Sequence, residues 1–273
     1  MLRSTSLLAL WVFTTCILSC RQESAIEKDL QPAARLARFQ ALHMAAVNVL
    51  QSEILKQSTS FYHAGVVAHW IDSLHFDDHY RLKLLDFGQG LACSDYIQRK
   101  GKILIYYTDS GAGYPDSLGV LIRAADSFAI GTDNGWYYLE GIVGLGRTLP
   151  EWYQTSAVLD IAESAVVPAR YTGNFKMQYS FAQVSTPQWN DAQLWNGKAL
   201  YSISAPVAES LGLDFSQCVR PAACSVFFST GEAKTALADV AQIVLEYNPY
   251  GNAACDKVAK ARLNRDEMIF NFW

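Results

Sequence analysis

The chain has 273 residues, 51% hydrophobic and 18% charged, with a formal net charge of −4. That apolar share is ample for a core, and with 12% aromatics it excludes a disordered chain. The 22 Lys and Arg against 26 Asp and Glu leave no basic footprint, so no nucleic-acid partner is expected.

Met1-Leu2-Arg3 is a short positive start, and Ser6 to Leu18 form an apolar run broken by Thr14-Thr15. The run is short for a bilayer and has the layout of a secretory signal. Ile17-Leu18-Ser19-Cys20 then resembles the lipobox of bacterial lipoproteins. The resemblance implies removal of residues 1–19 and acylation of Cys20 as the new first residue. Several acyl chains on one cysteine hold a protein stably on a membrane. Arg21 follows the cysteine rather than Asp, so nothing resembles an inner-membrane retention signal. The expected location is therefore the bacterial envelope, at the outer membrane, on its periplasmic or surface face. The membrane is the expected partner, through Cys20. Three segments follow: signal peptide 1–19, anchor cysteine with linker and helix over 20–58, and a β domain over 59–273.

From Ser24 to Lys56 apolar residues recur at three- and four-residue steps, among them Leu36, Phe39, Leu42, Val47, Leu50 and Ile54. This predicts one amphipathic helix with Pro32 near its start. All five histidines lie between His43 and His79. His63, His69, His75 and His79 with Asp77 and Asp78 fit no ligand spacing, so no metal is expected.

After Ser58 the period becomes that of strands: Val66 to Ile71, Tyr80 to Phe87, Lys102 to Thr108, Ser117 to Ile130 and Gly135 to Leu145. Phe175 to Val184, Lys198 to Ser204, Val240 to Tyr247 and Glu267 to Trp273 continue the series. Turn signals separate them, including Asp77-Asp78, Asp109-Ser110-Gly111, Asp133-Asn134-Gly135 and Asn248-Pro249. No crossover helices intervene, which predicts a mainly β fold. It is an antiparallel meander behind one helix: a curved sheet, a sandwich or a partial barrel.

Apart from Cys16 and Cys20, the cysteines are Cys93, Cys218, Cys224 and Cys255. In an exported protein they read as two disulfides with three possible connectivities. Cys218 with Cys224 would close a small loop and Cys93 with Cys255 a long one. There is also an internal echo. Leu85-Asp86-Phe87-Gly88 leads through Cys93 to the strand Ile103 to Tyr107, and Leu245-Glu246-Tyr247-Asn248 leads through Cys255 to Met268 to Phe272.

Asp86-Phe87-Gly88-Gln89-Gly90, Cys93, Asp95, Arg99-Lys100-Gly101-Lys102-Ile103 and Tyr107-Thr108 resemble a signature in β-rich lipoproteins of the Bacteroidota. Those proteins have no assigned activity, so the resemblance implies a fold and a location and no catalytic residue.

Motifs that invite chemistry have ordinary explanations. Asp109-Ser110-Gly111 is similar to the aspartic-protease signature, but that chemistry needs a second carboxylate and the sequence repeats no such motif. Asp86-Phe87-Gly88 matches the kinase magnesium motif as three letters only, without a glycine-rich loop or catalytic loop. Gly141, Gly144 and Gly146 lie in a strand pattern with no helix start to receive a phosphate. Asp126, Glu140, Glu151 and Asp160 are spread along the strands as solvated carboxylates whose separation would decide any glycosidase chemistry. The tryptophans 136, 152, 189, 195 and 273, with Tyr137, Tyr138 and Tyr153, serve packing first and stacking on a ligand second. No cofactor is expected. The expected function is a non-enzymatic envelope lipoprotein with a binding or structural role. The alternatives are a carrier with an apolar ligand between helix and sheet, and then a hydrolase.

Overall fold

The computed structural model describes residues 25–71, 80–108, 117–123, 126–149, 152–163, 168–179, 188, 191–204, 208–222, 224, 226–235, 242–250, 255 and 257–273. Cys20, the aspartic-protease-like Asp109-Ser110-Gly111, Glu151, Trp189 and the cluster His75, Asp77, Asp78 and His79 lie outside them.

Helix α1, Ala25–Ile54, is followed by one turn, α2 (Ser58–Phe61). Good helix formers dominate α1, and its glycine-free run of Ala, Leu, Gln and Met outweighs the missing N–H of Pro32, which lies inside the helix rather than at its start. The amphipathic expectation holds only for the first turns, where Lys28, Asp29 and Gln31 are exposed. From Phe39 to Ile54 every residue is buried, including Gln40, His43, Asn48, Gln51, Ser52 and Glu53. A helix buried on all sides needs walls all round, and the sheet supplies them.

That sheet is an antiparallel meander of 16 strands. Its first part comprises β1 (Val67–Ile71), β2 (Tyr80–Asp86), β3 (Leu91–Ala92), β4 (Gln98–Lys100), β5 (Lys102–Thr108), β6 (Ser117–Ile122), β7 (Ala129–Thr132) and β8 (Gly135–Leu149). The second comprises β9 (Trp152–Glu163), β10 (Ala169–Tyr179), β11 (Gln193–Ile203), β12 (Glu209–Arg220), β13 (Thr230–Thr235), β14 (Ile243–Tyr247), β15 (Val258–Leu263) and β16 (Asp266–Asn271). The main path is β1-β2-β5-β6-β8 and then β9 to β16 in order, while β3, β4 and β7 form a side branch on the first half of β8. Helix α1 touches β6, β8 to β12 and β14 to β16, so the sheet curls around it. The β7–β8 turn reaches the C-terminal strands: Lys257 pairs with Asp133 at 2.6 Å, and Asn134 Nδ2 donates to the Trp273 carbonyl at 3.1 Å. A single wrapped sheet, not a sandwich, resolves the alternatives left by the sequence.

Strands β3, β4, β9, β12, β13 and β15 fall where no strand is expected; β3 and β4 are too short to show alternation, and polar or small residues interrupt the pattern of the others. The predicted run from Ser117 to Ile130 is two strands. Ser127, with φ +49°, sits in the turn between them, and Gly101 packs so closely on that turn that a Cβ would lie 2.5 Å from the Ser127 carbonyl.

The internal echo has a structural counterpart. Phe87 and Tyr247 are both buried, and the residues after them, Gly88 and Asn248, take the left-handed conformation at φ +58° and +55°. Asp86 pairs in register with Lys102, and Glu246 with Lys260, each as an ion pair on the outer face.

The cysteine pairing departs from expectation. Cys224 is bonded to Cys255, while Cys93 and Cys218 are free and buried. Strand β13 pairs with both β12 and β14, which brings the loops after β12 and β14 together. Cys218 instead points inward from β12 against Gly231, whose Cβ would lie 2.5 Å from the Cys218 Cα. Burial pushes the Cys93 thiol up to about 11 and the Cys218 thiol up to about 12, so both are poor nucleophiles at neutral pH.

Candidate binding site

The interior is built from apolar side chains and a few buried polar groups. Leu36, Phe39, Leu42 and Leu50 are buried between helix and sheet, where the carrier reading placed its ligand. Phe39 meets Tyr171 and Tyr201 edge-on, with ring centroids at 6.3 and 5.6 Å. Further along α1, His43 lies between two strands: Nδ1 is 3.2 Å from Tyr171 OH and Nε2 is 3.1 Å from Thr155 Oγ1. Thr155 donates its proton to the Gly144 carbonyl at 2.8 Å, so its oxygen accepts from His43 Nε2–H and Tyr171 donates to Nδ1. Both nitrogens of the neutral imidazole are thus occupied, and burial lowers its pKa to about 3.

One turn on, Asn48, Asp95, Arg99 and Arg220 form a buried polar network. Asp95 accepts from both terminal nitrogens of Arg99, at 2.8 and 2.5 Å, and from Asn48 Nδ2 at 3.1 Å. Arg99 also donates to the Ala45 carbonyl at 2.7 Å, which stitches β4 to the helix. Asn48 Oδ1 accepts from Arg220 at 2.9 Å, so one asparagine of α1 joins β12 to the Asp95 loop. Burial works against the Arg99 charge, but the Asp95 carboxylate outweighs it and holds the guanidinium above its usual range. Burial lowers Arg220 to about 10, which still leaves it a cation at neutral pH. Asp95 and Arg99 thus hold β4 and its loop to α1. Nearby, Asp86 accepts from the Gly88 N–H at 2.8 Å to close its turn.

Near the C-terminal end of α1, Lys83 donates to both oxygens of Glu53, at 2.7 and 2.9 Å, and Tyr107 OH donates to the second at 2.6 Å. The Lys83 ammonium also sits 5.8 Å from the Tyr62 ring and 5.7 Å from the Trp70 ring. Lys83 and Tyr107 thus fasten β2 and β5 to the helix through Glu53. At the other end Arg35 and Tyr201 both bond Glu209.

The outer face is where space remains. Register places His69, Leu84, Leu104, Leu121, Ile142 and Val158 in one cross-strand row, continued by Thr172, Leu200 and Gly212. Ile142, Val158 and Leu200 are 49%, 40% and 47% exposed, unusual for aliphatic side chains adjacent in space. The row loses bulk at Thr172 and Gly212, and there a groove of about 760 Å³ opens across β9 to β13. Its apolar floor is Val158, Leu200 and the backbone of Gly173 and Gly212, and its side is Ser156, Asn174, Lys198 and Asp214. Register breaks between Trp195 and Gly197 and between Ser216 and Val219 bend β11 to β13 beside it, with Gln217 at φ +53°. Gly173 separates groove from core: a Cβ there would lie 2.6 Å from Tyr171 OH and 2.8 Å from His43 Nδ1. Lys198 and Asp214 neutralise each other at 3.3 Å, so the groove presents hydroxyls, an amide and apolar surface without net charge.

The remaining candidates fall into ordinary roles. Asp126 pairs with Arg123 and Asp160 with Arg170, and Glu140 stands opposite Asp160 on the exposed face. Asp133-Asn134-Gly135 is the β7–β8 turn, and Gly141, Gly144 and Gly146 lie within β8. Trp195, Trp273, Tyr137 and Tyr153 are core, whereas Trp136 and Tyr138 flank the Lys100 ammonium at 4.4 and 4.7 Å. Among the described residues no three His, Cys, Asp or Glu come together as metal ligands, and no helix is long and apolar enough to cross a membrane. The groove escaped sequence reasoning because it depends on which residues of five strands fall in register. The alternation of small and apolar outward residues was its only local signal.

No known protein family, curated protein or solved structure matches the chain.

Proposed function

We propose that the chain is a non-enzymatic lipoprotein of the bacterial envelope, held on the outer membrane through Cys20, that binds a partner on the outer face of its sheet. The observation that supports the binding role is the groove over Val158, Leu200 and Gly212 beside the exposed Ile142. The polar groups around His43, Asp95 and Glu53 are engaged with one another and face the helix, which favours binding over catalysis. The Cys224–Cys255 disulfide suits an oxidising compartment. An uncharged, apolar lining with amide and hydroxyl margins fits a protein segment that presents aliphatic side chains.

Two measurements test this. A photo-crosslinking residue at Leu200 in the full chain, expressed in an envelope-bearing host, should give a discrete adduct that the same residue at Lys176 does not. Equal yields at both positions would contradict the groove as the contact site. The Cys20→Ala variant should leave the membrane fraction; retention there would contradict the anchor.

A further inference from the structure

The sheet has two ends, and they are protected differently. Among the described residues β1 pairs only with β2 and β16 only with β15, so each presents one unpaired backbone edge. Natural edge strands discourage pairing with charges, prolines or bulges. Strand β16 begins with Asp266 and Glu267, and Lys260 on its neighbour reaches Glu267 at 3.9 Å. Strand β1, with the sequence Val-Ala-His-Trp-Ile, has no charged residue, proline or glycine. All five of its residues are exposed, including Val67 at 45%, Trp70 at 57% and Ile71 at 40%.

We infer that β1 is the contact through which two copies of this chain associate, by antiparallel pairing across a two-fold axis at His69. The strand is self-complementary in that register. Val67 of one copy meets Ile71 of the other on the outer face, and Ala68 meets Trp70 on the inner face, aliphatic against aliphatic and small against large. No like charges oppose each other. Trp70 is already braced, with its ring 5.3 Å from Tyr107 and 5.7 Å from the Lys83 ammonium, so its position does not have to be created on docking. His69 also begins the outer-face row through Leu84, Leu104 and Leu121, so the pairing joins the rows of both copies into one stripe across the axis. The interface is isologous and closes at two, which distinguishes it from open-ended stacking of β1 on β16.

Sedimentation of the full chain in detergent should show a concentration-dependent dimer. His69→Lys places two ammoniums at the axis and should raise the dimer dissociation constant at least about tenfold with the melting temperature unchanged. Ile269→Lys on β16 should leave the dimer intact. His69→Cys should yield a covalent dimer under mild oxidation and Ile269→Cys should not. A wild-type monomer at every concentration, a dimer indifferent to His69→Lys, or cross-linking through position 269 instead would each overturn the inference.

Discussion

On β9 and β10 the inward residues Tyr153, Thr155, Leu159, Tyr171, Phe175 and Met177 are buried, whereas the outward Gln154, Ser156, Val158, Asn174 and Lys176 stand in solvent. The same strands thus present two different constructions one side chain apart. Inside, His43, Asn48 and Glu53 of α1 are hydrogen-bonded to the strands and loops around them, and removing a partner leaves a buried group unpaired. Outside, small and aliphatic residues alternate with charged ones such as Lys176 and the Asp160–Arg170 pair. Filling the sheet does not require Ile142, Val158 and Leu200 to stand exposed on this face. The difference places the stabilising contacts on one face and leaves the other free for the binding role proposed above.

The largest way to break the inner face is Asp95→Ala, which leaves Arg99 buried without its carboxylate. Urea unfolding should show a loss of about 3–5 kcal/mol. A loss under about 1 kcal/mol would mean the network is not needed for the fold. Acid comes next. The folded pKa of His43 is about 3 against 6.5 for the free group, so its neutral form stabilises the fold above 6.5 and that contribution falls away as pH drops toward 3. Between pH 7 and pH 4 the loss is about 3 kcal/mol from this group. A His43→Gln variant should show a flatter profile over that interval, and an unchanged slope would remove His43 as the source.

Gly173 and Thr172 sharpen the comparison, since they are neighbours on opposite faces. Gly173→Ala pushes a methyl toward Tyr171 OH and His43 and should cost about 1–3 kcal/mol. Thr172→Ala should move the unfolding midpoint by about 0.5 kcal/mol or less. Equal costs would mean that the two faces are not separated as described.

Much of this was legible in the sequence. The switch from a 3.6-residue to a two-residue period after Ser58 marked the end of α1 within a few residues, and the lack of crossover helices required antiparallel pairing. The buried state of α1 was not legible, because Gln40, His43, Asn48 and Gln51 read as a polar face until the strands that hold them are in place. Cysteine pairing was misjudged for a similar reason. Closeness along the chain favoured Cys218 with Cys224, while sheet order brought Cys255 to Cys224 instead. Asp95 and Arg99 lie four residues apart in the sequence, yet their joint contact with α1 depends on Ala45 and Asn48, about fifty residues earlier. The groove depends on register alone, which no single segment encodes.

The most direct test of the division between the faces is a paired measurement on Leu200→Asp, with thermal melting and partner cross-linking on the same preparation. The account predicts an unchanged melting temperature and loss of the adduct formed through a photo-crosslinking residue at Val158 on the adjoining groove floor. A lowered melting temperature, or an adduct that persists with the groove charged, would contradict it.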